Sequence, residues 1–147
     1  MSDYPNRPLI GVGVFIFKGP PDAPEVLLVR RGKPPRAGQW SVPGGRQRLG
    51  ETVRAAALRE AREETGCAVE ITALLDVVDS ITRDDGGTLQ YHYTLVDFLA
   101  EWRDGDPTAG GDVAEACWAD VKDLAPFELW TETLRLIEMG TGRRSAG

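Results

Sequence analysis

The stretch Gly45–Cys67, GRQRLGETVRAAALREAREETGC, decides how this chain is read. Thr52 is a good N-cap, because its hydroxyl can accept from the free amides of a first helical turn. Val53 to Thr65 is rich in Ala, Glu and Arg, all strong helix formers, and Gly66 can close the helix in the left-handed conformation. The spacing predicts a helix over 53–65, about three and a half turns long. On it Val53, Ala56, Ala57, Glu60, Glu63 and Glu64 recur at i, i+3, i+4, i+7, so one stripe is apolar for two turns and carboxylate for the next. Like charges on one arc repel, and the helix dipole disfavours anions in a last turn. A cation should compensate them, and hard oxygen ligands on a rigid element suit Mg²⁺ or Mn²⁺.

Working outward towards the N-terminus, Leu9 to Phe17 alternates in the manner of a strand, with Gly11 and Gly13 allowing close approach of other groups. The turn KGPPDAP leads to a second strand, Glu25 to Arg31, expected to pair with the first as a hairpin. Gly32 to Gly38 reads as a basic loop, Gln39 to Val42 as a short strand, and Pro43, Gly44 and Gly45 as a tight turn before a second basic loop, Arg46 to Gly50.

Beyond the helix, Val69 to Ile81 and Leu89 to Trp102 read as strands joined by the turn signal DDGG at 84–87. Residues 103–112 are polar and glycine-rich and read as a mobile loop, ahead of a short strand over Ala116 to Ala119. A second helix, Leu129 to Met139, carries Trp130, Leu134 and Ile137 at helical spacing and is expected to stop at Gly140. The expected organisation is a loose arm over 1–8, one domain over 9–140 built as a mixed sheet flanked by helices, and a flexible tail over 141–147.

With 147 residues, 41% of them hydrophobic, the chain is long enough for one well-filled core. No apolar run reaches the length of a membrane span, and Met1 to Leu9 lacks the pattern of a signal peptide, so a cytoplasmic location is expected. Cys67 and Cys117 form no CxxC pattern and are expected to be reduced and buried. The net charge of −6 argues against a nucleic-acid or membrane partner held by bulk electrostatics. Nine of the 17 Lys and Arg fall between positions 30 and 62, however, among them Arg30, Arg31, Arg36 and Arg46, so a small anion can dock there. An anion beside an acidic helix needs a metal between the two.

The central stretch resembles the Nudix box, the signature of the Nudix hydrolases. Gly45, Glu51, Arg59, Glu60, Glu63, Glu64 and Gly66 stand in its register, while Ala61 and Cys67 replace its usual larger aliphatic residues. A solvated helix of Arg–Glu pairs accounts for REAREE alone but not for that full register. LLVRR, WSVPGG and the strand holding Trp118 are also similar to family features.

The resemblance implies an α/β/α sandwich around a mixed sheet, with the box as a catalytic loop, helix, loop unit. It further implies a divalent metal, Mg²⁺ or Mn²⁺, on Glu60, Glu63 and Glu64, with the Gly44 carbonyl completing the site. Arg59, judged unable to point with these ligands, is expected to brace Glu51 or a neighbour, and Glu51 to act as ligand or brace. Glu64 and Glu60 in the box, or Asp112 and Glu115 outside it, are the candidate general bases. Arg30, Arg31, Arg36 and Arg46 are candidates for substrate phosphates.

The implied substrate is a nucleoside diphosphate linked to another moiety, with ADP-ribose or a nucleotide sugar first and a nucleoside triphosphate, including an oxidised one, as the rival. The stretch Ser80 to Asp85 holds neither the proline nor the tyrosine that marks some specificities in the family. A non-catalytic ligand sensor is the alternative of a different class, and a homodimer is the expected assembly if there is one.

Overall fold

The computed structural model describes residues 5–34 and 36–146. Among them seven strands form one sheet: β1 (Leu9–Lys18), β2 (Glu25–Arg31), β3 (Trp40–Ser41), β4 (Gly44–Arg46), β5 (Ala68–Arg83), β6 (Leu89–Asp104) and β7 (Val113–Asp120). Two helices, α1 (Val53–Thr65) and α2 (Thr131–Ala146), accompany it. The path is β3-β2-β1-β6-β5, with β4 pairing with β1 and β7 with β2. β1 and β6 run parallel while the other pairings are antiparallel, which makes the sheet mixed. Among the described residues no helix is long and apolar enough to cross a membrane.

The two-residue period of β1 sorts the core into two layers. Val12, Val14 and Ile16 pack with Leu27, Phe98 and Ala100 against Ala56, Ala57 and Ala61 of α1. Phe15 and Phe17 point to the other face, where Val26, Leu28 and Leu99 meet Leu136 and Ile137 of α2. The apolar residues of β1 are thus buried on both sides, as a central strand requires.

Several boundaries differ from the sequence reading. Pro43 to Gly45 is not a tight turn: Gly44–Arg46 forms β4, antiparallel to β1, with Gly13 opposite Gly44 and Val12 opposite Gly45. A Cβ at Gly44 would overlap the Val12 carbonyl, so only glycine lets the two backbones approach this closely. Helix α2 does not stop at Gly140 but runs to Ala146, which replaces the expected flexible tail by helix over 141–146. Gly140 serves packing instead, for a Cβ there would lie 2.9 Å from Phe17 Cε1. Beyond it, Arg143 Nη1 donates to the Leu74 carbonyl at 2.8 Å and Arg144 Nη2 to Glu101 Oε1 at 2.9 Å, which ties the last turn to the sheet. Residues 1–4, the start of the expected arm, and Gly147 lie outside the described residues.

The loop after β6 is held against α1. Thr108 N donates to the Thr65 carbonyl at 2.8 Å, and Gly110 N to that of Glu64 at 3.3 Å, so the loop satisfies carbonyls that the helix end leaves open. Trp102 Nε1 donates to the Gly105 carbonyl at 2.8 Å and fixes the other end of the loop. Cys67 is buried as expected, but Cys117 is only half-buried, and both are free.

Candidate active site

Helix α1 begins where its sequence says it should. Thr52 Oγ1 accepts from Ala55 N at 3.0 Å, and Gly66 closes the helix at φ 71°. Its buried side is Ala56, Ala57, Ala61 and Thr65. Glu60 and Glu64 lie within this arc and are half-buried or deeper, whereas Glu63 sits on its margin with its side chain 45% exposed.

The Gly44–Gly45 strand receives the two inner carboxylates. Gly44 N donates to Glu64 Oε1 at 2.9 Å. A Cβ on Gly45 would lie 2.5 Å from the Glu60 carboxyl, so this glycine makes the space that Glu60 fills. Burial pushes the Glu64 carboxyl up to about 7, against the pull of the Gly44 amide, and the charge of Glu60 adds to the rise. Burial likewise raises Glu60, despite the hydrogen bond from Arg59 that lowers it. Two carboxyls held together out of water favour either a proton or a cation between them.

Arg59 does not lie apart from this group. Its Nε and Nη2 donate to Glu51 Oε2 and Oε1 at 2.7 and 2.9 Å, a two-point pair. Its Nη1 also reaches Glu60 Oε1 at 2.6 Å and Glu63 Oε2 at 3.4 Å, because the long side chain folds back over the helix surface. The guanidinium and the Arg48 amide hold Glu51 down to about 2, and Glu51 in turn raises Arg59.

The expected gathering of three ligands is therefore incomplete. Among the described residues no group of three His, Cys, Asp or Glu side chains lies close enough to hold a metal ion. Glu63 instead faces Arg59 and Arg48. The inner pair fits a hard divalent ion chemically, since Glu60 and Glu64 offer carboxylate oxygen in a cradle that glycines keep open.

A cleft of about 890 Å³ opens beside this pair. Its lining includes Gly44, Glu60, Glu64, Arg31, Arg36 and Arg46, and Arg31 lies close enough to Glu64 to oppose its rise in proton affinity. Arg36, at φ 63°, also donates from Nη2 to Thr82 Oγ1 at 3.3 Å, and the Arg46 carbonyl accepts from Arg59 Nη2 at 3.0 Å. Asp112 lines the cleft, interacts with Glu64 and pairs with Lys33 at 3.0 Å.

Arg30 and Glu115 are not brought to the cleft. They stand opposite each other on β2 and β7, and Arg30 Nη2 bonds Glu115 Oε1 at 2.9 Å. Strand alternation places them on the α2 side with Leu28, away from Glu64. The sequence reading missed Asp97, which is buried on β6 and lines the same cleft. Its signal was a single acid inside the apolar run TLVDFLA.

A family model for the NUDIX domain matches residues 7–139. The chain belongs to that family. It is 36% identical over 100 residues to an ADP-ribose pyrophosphatase of Methanocaldococcus jannaschii, covering 68% of this chain and 57% of that one. It is 37% identical over 100 residues to a putative 8-oxo-dGTP diphosphatase 2 of Mycobacterium tuberculosis, covering 67% of each. Among solved structures, the MutT NUDIX hydrolase of Burkholderia pseudomallei superposes with a TM-score of 0.77 at 32% identity, covering 91% of this chain and 98% of that one. The match to the archaeal relative thus spans little more than half of that protein's length.

Proposed function

We propose that this chain hydrolyses the pyrophosphate bond of a nucleoside diphosphate linked to another moiety, with ADP-ribose or a related nucleotide sugar as the first substrate to consider. The observation that carries this reading is the pair Glu60 and Glu64, set on Gly44–Gly45 at a cleft that also presents Arg31, Arg36 and Arg46. Carboxylates beside guanidinium groups suit a substrate whose phosphates are bound partly through a divalent ion and partly directly. The similarity to a relative named as an ADP-ribose pyrophosphatase supports the choice of substrate.

Glu60, Glu64 and the Gly44 carbonyl would hold Mg²⁺ or Mn²⁺, with Glu63 joining from the helix margin. Such an ion supplies charge neutralisation for the diphosphate and a more acidic water at neutral pH. The chain's own residues do the rest. Gly44 N orients Glu64, and Arg59 orients Glu51 and Glu60, so that the carboxylates are placed before substrate arrives. Arg31, Arg36 and Arg46 bind phosphate oxygens and offset charge that develops on the leaving phosphate. Asp112, which lines the cleft with Glu64 and whose charge acts on it, is our candidate to accept the proton of the attacking water; Glu115, bound to Arg30 on the other face, is not.

Turnover of ADP-ribose, nucleotide sugars and nucleoside triphosphates with Mg²⁺ and with Mn²⁺ tests this reading, with products separated by chromatography. Glu64→Gln should lower kcat at least about a hundredfold on whichever substrate is used. Unchanged turnover in this variant would sink the assignment of the site. The 37% identity to a putative 8-oxo-dGTP diphosphatase favours a second reading, cleavage of a nucleoside triphosphate. Release of inorganic pyrophosphate and a nucleoside monophosphate, in place of two monophosphate esters, would select it.

A further inference from the structure

The cleft runs past the box carboxylates towards α2, and there it holds a carboxyl that the pyrophosphate chemistry does not use. Asp97 is 5% exposed in the middle of β6, on the α2 side with Leu95 and Leu99. No hydrogen bond among the described residues engages its side chain, yet none of their fully sealed side-chain oxygens lacks a partner. The Asp97 carboxyl therefore opens onto the cleft it lines. Gly13 stands opposite it in the β1–β6 register, and a Cβ on Gly13 would overlap Asp97 Oδ1. The neighbouring strand thus keeps room for this one carboxyl.

Its position relative to the box is set by the sheet. Gly44, Gly13 and Asp97 occupy facing places on adjacent strands, so two strand spacings, about 10 Å, separate Asp97 from the strand that holds Glu64. A nucleotide spans a comparable distance from diphosphate to base. Trp130 lines the same cleft and is 43% exposed, so an apolar face for a flat ring is available there, whereas Trp40 packs on Phe127 and carries Arg30 over its ring.

We propose that Asp97 reads the base of the substrate, hydrogen-bonding an edge on which a donor stands beside an acceptor, such as the amino group and adjacent ring nitrogen of adenine. The inference rests on the nucleotide reading above and deepens it. The charges that face Asp97 are Asp76 on β5 and Glu132 and Arg135 on α2. Arg135 is bonded to both of those acids, at 2.9 Å to Asp76 Oδ2 and 2.8 Å to Glu132 Oε2, so it is a weak counter-ion for Asp97. Burial, with the charge of Asp76 added, pushes Asp97 up to about 7. A protonated carboxyl presents one donor and one acceptor together, whereas a carboxylate presents acceptors only and would favour the paired donors of guanine.

Steady-state kinetics of the full chain with Mg²⁺ on ADP-ribose and its guanine counterpart, for wild type, Asp97→Asn and Asp97→Ala, test this. Asp97→Ala should raise KM for the adenine substrate at least about tenfold, with a much smaller change in kcat, and erase the preference between bases. Asp97→Asn keeps a donor beside an acceptor, so it should bind the adenine substrate at acid and neutral pH and lose the rise in KM that wild type shows above pH about 7. An unchanged ratio of KM between the two bases in Asp97→Ala would overturn the proposal. Should that variant not fold, an Asp97→Asn pH profile identical to wild type overturns it instead. A wild-type chain that turns over neither substrate defeats the nucleotide-sugar reading, and this inference falls with it. Turnover with base preference insensitive to position 97 defeats this inference alone.

Discussion

Arg59 makes hydrogen bonds to three glutamates, and the geometry of its guanidinium explains why a shorter or rounder cation would not serve. The two-point pair with Glu51 uses the planar fork, while Nη1 remains for Glu60. Arg59→Lys should therefore lower kcat by an order of magnitude or more, with the fold intact by circular dichroism. A lysine variant with wild-type kcat would show that orientation of the carboxylates is not the role of this side chain.

Asp97 makes a second prediction at this scale. Its carboxyl titrates at about 7 in the fold against 3.8 when exposed, so folding holds a proton that the unfolded chain releases. Below pH 4 both states keep the proton and the penalty vanishes. As pH rises from 4 to 7 the unfolded state is favoured, by on the order of 4 kcal/mol in total, and above pH 7 the loss levels off. Urea melts of Asp97→Asn against wild type should diverge over that window, the variant gaining relative stability as pH rises. Parallel curves would refute the burial cost.

At the scale of elements, glycines and caps decide more than composition does. Thr52→Ala removes the bond to Ala55 N and should lower stability by about 1 kcal/mol, read as a shift in urea midpoint with unchanged slope. Gly140→Ala is the sharper test. Helix propensity alone predicts a gain of about 1 kcal/mol, whereas the contact with Phe17 predicts a net loss because overpacking costs about 1–3 kcal/mol. A stabilised variant would show that α2 can shift away from the sheet.

The same elements show what sequence could and could not reveal. Helix α1 has its bounds at 53 and 65, as its cap, its Ala-rich face and Gly66 indicate, because all its signals are local. Strand β2 likewise runs from Glu25 to Arg31. Strand β4 was invisible, since Gly-Gly reads as a turn unless the facing strand is known. Gly140 was misread for a similar reason: its partner, Phe17, is more than a hundred residues away in the chain. In the site, the box glutamates stand out by spacing. That Glu63 turns outward, that Asp112 rather than Glu115 approaches Glu64, and that Asp97 faces Gly13 depend on strand register between distant segments.

For the whole molecule, a cation held by the buried pair of acids, as proposed above, would couple its binding to stability. A divalent ion that binds only the folded state adds about 2.7 kcal/mol at a concentration one hundred times its Kd. Thermal melts should shift upward with Mg²⁺ or Mn²⁺ in wild type, and much less in Glu64→Gln. An equal shift in both would place the bound ion elsewhere.

The loop that follows β6 extends this reasoning to a local reporter. The amides of Thr108 and Gly110 end on the carbonyls of Thr65 and Glu64, in the last turn of the helix that carries the site. Their solvent exchange in deuterated buffer therefore registers how firmly that turn is held. Occupation of the Glu60–Glu64 pair should slow exchange at positions 108 and 110, 44 to 50 residues along the chain from the acids themselves, while amides in the 84–87 turn exchange as before.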